Sequence, residues 1–193
     1  MLTVLPNLVN PNVRLHPSGR NNEIIIKESG DDSKIKELAI QDVPTSVFAF
    51  ELDFCPAAAK DKSRYQQLSC YVNPDDGSGV NKSCDFVVVF KYKSKLKVLL
   101  GELKSDDIRD AKKQLKNSEL FLKYLISLAK TFHDVTETTV EFRHLVLNTK
   151  RRPMEKGPIG KTARSNWHVD LGFLHIKPNA HKKAVIKFFD MPT

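Results

Sequence analysis

The chain has 193 residues, 40% hydrophobic and 28% charged, with 31 Lys and Arg against 23 Asp and Glu and a formal net charge of +8. That length and balance fit one soluble domain with a single real core, and with no run of 18 apolar residues a membrane span is not expected. The excess of positive charge favours a polyanionic partner.

Residues 1–22 carry three prolines and five asparagines, too broken for a long element, and read as an extended arm. The opening MLTVLPNLVNPNVRLHP lacks a basic first segment and is interrupted by Pro and Asn, so it does not read as a secretory signal and the protein is expected to be cytoplasmic. EIIIKE is a short strand, followed by a turn through SGDDS. Asp32 or Ser33 can cap a helix over about Ser33 to Asp42, with Ile35, Leu38 and Ala39 as its apolar stripe and Pro44 as its stop.

SVFAFELDF alternates as a strand does, with Val47, Ala49, Glu51 and Asp53 on one face and Phe48, Phe50, Leu52 and Phe54 on the other. Between Cys55 and Val80 the pattern is mixed: RYQQLSCYV is strand-like and NPDDGSG is a loop. Cys55, Cys70 and Cys84, an odd number without a CxxC pair, argue against a disulfide framework and against a zinc or iron–sulfur cage.

Two apolar strands follow, about Cys84 to Tyr92 and Leu96 to Leu103, joined by a basic hairpin in KYKSKLK. SDDIRDAKKQLKNSELFLKYLISLAKTF is the strongest helix, capped by Ser105 or Asp106, with Ile108, Ala111, Leu115, Leu122, Leu125 and Ala129 at helical spacing. TTVEFRHLVLNT is a strand, KRRPMEKGPIGKTARSN a basic loop, and WHVDLGFLHIK and KAVIKFFD are strands expected to form a hairpin around PNAHK.

Charge interrupts these apolar strands at three places: Asp85 opens the first, and Glu102 and Lys104 close the second on the face shared with Val98 and Leu100. Antiparallel pairing sets Asp85 beside Glu102. Two adjacent carboxylates repel unless a cation lies between them, and oxygen ligands suit Mg²⁺ or Mn²⁺. Lys104 is then placed to hold or deprotonate a water and to stabilise charge growing on a phosphate. The chemistry that fits is phosphodiester hydrolysis.

Asp85, sixteen intervening residues, then Glu102-Leu103-Lys104 resembles the D-x(n)-E-x-K signature of the PD-(D/E)xK nuclease superfamily, which includes restriction endonucleases and RecB-like exonucleases. Cys84 stands where the family name has Pro. The order helix, strand, strand with Asp, strand with ExK, long helix, strand is similar to that superfamily's core over roughly Ser33 to Thr149. The resemblance implies an α/β fold with a restriction endonuclease-like mixed central sheet flanked by helices. It implies one domain over 1–193, its core at about 33–149, an N-terminal arm at 1–22 and a C-terminal β extension with the basic loop at 150–193. It further implies Mg²⁺, with Mn²⁺ as substitute, held by Asp85, Glu102 and the backbone carbonyl of Leu103, with Lys104 serving the nucleophilic water. Gln114 fits the position of a Gln that several branches carry on the following helix. An additional acid is expected from Glu51, preferred over Glu37 because a strand fixes its direction better. DNA is expected rather than RNA, cut to leave 5′-phosphate and 3′-hydroxyl ends.

Lys150, Arg151, Arg152, Lys156, Lys161 and Arg164 sit among Gly and Pro with one acid, Glu155, and are expected to follow a phosphate backbone. The lysines of KYKSKLK read as a solvated turn and Trp167 as packing at a strand start. The six histidines show no metal-ligand spacing, and GPIGK lacks the strand, Gly spacing and helix of a phosphate-binding loop. Two other functions remain open: a non-catalytic nucleic-acid-binding or assembly subunit on the same fold, and a structural subunit without nucleic acid. A homodimer or a larger defence or repair complex is compatible with each.

Overall fold

The computed structural model describes residues 1–28, 33–53, 78–105, 108–136, 139–149 and 171–191. Among the described residues the main elements are two sheets and one long helix. The larger sheet has the order β1 (Arg14–Leu15), β4 (Phe48–Glu51), β5 (Phe86–Tyr92), β6 (Lys95–Lys104), β7 (Val140–Asn148), β8 (Leu171–His175). Its first four strands pair antiparallel, whereas β6–β7 and β7–β8 are parallel. The helix α2 (Ala111–Phe132) is the crossover that a parallel β6–β7 pair requires. The smaller sheet runs β2 (Ile24–Lys27), β3 (Glu37–Gln41), β9 (Lys183–Lys187), with β2–β3 antiparallel and β3–β9 parallel.

The central strands form where the sequence is apolar on both faces. Phe86, Val87, Val88 and Val89 are each at most 1% exposed, as are Val98, Leu99 and Leu100, the pattern of strands covered on both sides. Lys93 and Ser94 both adopt positive φ, 47° and 64°, which the tight two-residue link between β5 and β6 demands. That link fixes the register Phe86 opposite Gly101. Gly101 is obligatory there, because a Cβ would lie 2.0 Å from the Phe86 ring.

Alternation along the strands builds two apolar layers. Phe50, Val87, Val89, Val98 and Leu100 pack with Leu115, Leu122 and Ile126 of α2. Phe86, Val88, Leu99, Leu145 and Leu147 pack with Ile24, Ile26, Leu38, Ile40 and Ile186 of the smaller sheet. The expected mixed central sheet is present; among the described residues one of its faces carries the long helix α2 and the other is covered by the smaller sheet.

Four further expectations are corrected. The segment expected as a helix over 33–42 is strand β3, whose interior residues Leu38, Ala39 and Ile40 are all buried because it lies between β2 and β9. The N-terminal arm is folded in part: the short helix α1 (Leu5–Leu8) and a 3-10 turn at Pro11–Val13 precede β1, and Leu5 is fully buried in the layer that holds α2. The long helix starts at Ala111 and not at Ser105 or Asp106, since Ser105 Oγ accepts from the Lys34 N–H at 2.8 Å and its carbonyl accepts from the Thr149 hydroxyl. The two last strands do not form a hairpin: β8 joins the larger sheet and β9 the smaller. The strand read in RYQQLSCYV lies outside the described residues. Among the described residues no helix is long and apolar enough to cross a membrane.

Candidate active site

The β5–β6 register carries Asp85, immediately before β5, to the position opposite Glu102. Residues of one parity face α2, so Asp85 follows Val87 and Val89, and Glu102 and Lys104 follow Val98 and Leu100, onto the helix side of the sheet. The Asp85 carboxylate accepts a hydrogen bond from the Leu103 N–H. Lys104 Nζ lies 2.6 Å from Glu102 Oε1. Glu102 is 1% exposed, and its other oxygen, Oε2, is buried with no hydrogen-bond partner. A buried carboxylate oxygen without a donor is costly unless a cation or a proton completes it.

The electrostatics point the same way. Burial, then the Glu102 charge, push Asp85 well above the usual carboxylate range. Burial raises Glu102 to about 7, against the lowering influence of Lys104. Burial alone would lower Lys104, but the charge and hydrogen bond of Glu102 outweigh it and hold the amine protonated. Both carboxylates therefore resist ionisation together, the condition that a cation between them relieves.

The main chain around Leu103 departs from the ladder. A strand residue aims its N–H and C=O at the same neighbour. The Leu103 N–H goes to Asp85 in place of the main chain across from it, and the N–H of Cys84 goes to Ser118 Oγ at 2.8 Å. Both N–H groups that would extend the β5–β6 ladder by one more pair are thus taken by side chains.

Helix α2 holds the approach to Asp85 through three polar residues one turn apart. Gln114 Nε2 donates to the Ser83 carbonyl at 3.3 Å. Asn117 Nδ2 donates to the carbonyls of Lys82, at 2.9 Å, and Val80. The Ser118 hydroxyl donates to the Gln114 carbonyl at 2.9 Å while accepting from Cys84. Gln114 therefore faces the sheet, with a contact that fixes the chain before Asp85; its Oε1 is buried without a partner.

Glu51 does not join the pair. It shares the face of Ala49, opposite Phe86 in the register, which looks toward the smaller sheet. Burial raises it and a hydrogen bond from the Lys27 main chain opposes that rise. Glu37 is farther removed in role, paired with Lys183 at 2.9 Å. The acids whose charges reach the pair are Glu28, which raises Asp85 and Glu102, and Asp53, which raises Glu102. The sequence singles out neither as a site residue; the signal available is that each lies just past a strand, Glu28 directly after β2 and Asp53 two residues after β4. Ser118 was equally legible, as a hydroxyl set between Leu115 and Leu122 in the apolar stripe.

Among the described residues no group of three or more His, Cys, Asp or Glu side chains is arranged to hold a metal ion; the ligand set at issue has two carboxylates and a main-chain oxygen. Lys150, Arg151, Arg152, Lys156, Lys161 and Arg164 lie outside the described residues. Cys84 is a buried free thiol, pushed well up by burial. No family model matches the chain, nor does any curated protein or solved structure.

Proposed function

We propose that the chain is a Mg²⁺-dependent nuclease that hydrolyses DNA phosphodiester bonds on a restriction endonuclease-like core. The observation that carries the reading is the buried, donorless Glu102 Oε2 beside Asp85, with Lys104 at the other Glu102 oxygen. The strand order supports the fold reading: three antiparallel strands β4–β5–β6, the crossover α2, then β7 parallel to β6. Asp85, Glu102 and the Leu103 carbonyl would hold the metal, which supplies a Lewis acid at a phosphate oxygen. Asp85 and Glu102 orient the phosphate side of the site by their fixed positions on two paired strands. Lys104 keeps a positive charge next to the reacting phosphate and offers a protonated amine to a departing or developing oxyanion. Gln114, Asn117 and Ser118 keep Asp85 at its place across from Glu102. DNA, and the 5′-phosphate and 3′-hydroxyl ends, rest on the resemblance. A reducing, cytoplasmic setting suits the unbridged Cys84.

The test is cleavage of supercoiled plasmid and labelled single strands with Mg²⁺, Mn²⁺, Ca²⁺ or EDTA. Cleavage that needs Mg²⁺ or Mn²⁺ and is lost in Glu102→Ala is the expected result. Full cleavage by Asp85→Ala and Lys104→Ala would overturn it. A second reading, a nucleic-acid-binding or assembly subunit without catalysis, is favoured by the 2.6 Å contact that already neutralises Glu102 with Lys104; it predicts salt-sensitive binding with no cleavage by any variant.

A further inference from the structure

The exposed side of α2 carries Lys112, Lys113, Lys116, Lys123 and Lys130. At about 100° per residue, Lys112, Lys116, Lys123 and Lys130 fall within about 40° of one another, a stripe about 27 Å long at 1.5 Å per residue. Beside it run Leu120 and Tyr124, 56% and 57% exposed. The single acid of the helix, Glu119, is turned inward, 2.9 Å from His144 Nε2 and capped by Lys116 at 3.3 Å and Lys123 at 2.5 Å. Lys116 and Lys123 hold this buried carboxylate while keeping 59% and 51% of their own side chains exposed. The N-terminal half of α2 lies by the candidate site, where Gln114 and Asn117, on another side of the helix from the stripe, touch residues 80–83 just before Asp85.

We propose that this face of α2 is a track for single-stranded nucleic acid leaving the site, with phosphates on the lysines and an unpaired base on Tyr124. The proposal rests on the nuclease reading for its substrate and goes beyond it in naming the strandedness. A duplex keeps its bases stacked inside and presents phosphates alone, so it has no use for an exposed ring and a leucine interleaved with lysines; a single strand uses both. The β5–β6 hairpin also joins lysines to an exposed aromatic, and there, as on α2, some lysines are ion-paired. Its ring, however, is covered by lysines of the hairpin itself, whereas the 57%-exposed Tyr124 ring stands open beside the stripe. Lys95 and Lys97 each lie 2.5 Å from Glu141, and Lys93 and Lys97 cover the Tyr92 ring at 5.3 and 5.9 Å.

The experiment measures binding of fluorescein-labelled dT20 and of a 20-base-pair duplex in EDTA, over a salt series, beside a separate cleavage assay in Mg²⁺. Wild type should bind dT20 more tightly than the duplex. Tyr124→Ala should weaken dT20 by about fivefold to a hundredfold, the range for one stacked base, while Tyr92→Ala leaves it unchanged. Replacing Lys112, Lys116, Lys123 and Lys130 by Gln should lower the slope of log K against log salt by about 3, a change no purely structural role makes. Circular dichroism should stay as in wild type for both variants; the melting point should stay for Tyr124→Ala and fall for the lysine variant, which removes the Lys116 and Lys123 partners of buried Glu119. Equal or tighter duplex binding, a neutral Tyr124→Ala, a sensitive Tyr92→Ala, or no dT20 binding would each overturn the track. Cleavage retained in any of those cases would leave the Asp85–Glu102–Lys104 site standing, and cleavage absent with the track's binding intact would remove the nuclease reading alone.

Discussion

Glu102→Gln separates the charge of this side chain from its shape. Burial raises Glu102 from 4.5 to about 7 in the folded chain. A carboxyl whose folded value is raised binds more protons in the native than in the unfolded state between those two values. Stability therefore falls as pH rises from about 4.5 to about 7. At about 1.4 kcal/mol per unit, the loss assigned to Glu102 is on the order of 3 kcal/mol. Asp85, raised in the same direction, adds to it; Lys104, raised above 10.5, stays protonated throughout and contributes no slope. Urea denaturation at pH 5 and at pH 7.5 measures the effect. The wild type should lose about 3 kcal/mol more than Glu102→Gln across that interval. Mn²⁺ at about a hundred times its dissociation constant should restore roughly 3 kcal/mol to the wild type at pH 7.5, less at pH 5, and little to the variant. Equal pH slopes for the two proteins would refute the claim that Glu102 is buried with an uncompensated oxygen.

Lys104→Gln should cut the rate constant for cleavage by about 10²- to 10⁴-fold with little change in KM, the range for a group acting in proton transfer or charge stabilisation; single-turnover kinetics check it. Ser118→Ala deprives the buried Cys84 N–H of its acceptor, so it should lower stability by about 1–3 kcal/mol. It should also weaken Mn²⁺ binding, measured by titration calorimetry, because Asp85 is one residue away. Gly101→Ala drives a methyl into the Phe86 ring and should cost about 1–3 kcal/mol in denaturant, with Gly101→Ala/Phe86→Leu recovering part of it.

The strands that matter most for the site were legible because their apolar runs are long and two-sided, and because a two-residue turn between them leaves one register. From that register alone the Asp85–Glu102 pairing follows. The same period argument misled at 33–42, where Ile35, Leu38 and Ala39 fit a helical stripe while the adjacent Ile40 is equally buried; short apolar runs look alike until their neighbours are known. β3 has two strand neighbours, one of them from the far end of the chain, which no local pattern announces. The strand does fix the direction of Glu51, and that direction is toward the smaller sheet, away from Asp85 and Glu102. Ser105 looked like a helix cap, but the ends of β6 and β7 and the start of the β3 segment converge on it and consume its hydrogen bonds. The arm looked extended because Pro and Asn dominate it; Leu5 and Val9 anchor it to the α2 layer.

The parallel pairing of β9 with β3 sets the order in which the molecule can be assembled. Glu37 and Lys183, paired in register and joined by an ion pair, are 146 residues apart in the chain. During synthesis, β2 and β3 emerge early and wait as a two-stranded ribbon, marginal by itself. Meanwhile Phe86, Val88, Leu99 and Leu145 offer an uncovered apolar wall until the last strand leaves the ribosome. Closing so long a loop is slow, and the nascent chain passes through a stage in which that wall is exposed to other chains. Deleting β9 should therefore leave that wall open to other chains, with aggregation on refolding as the expected result by light scattering.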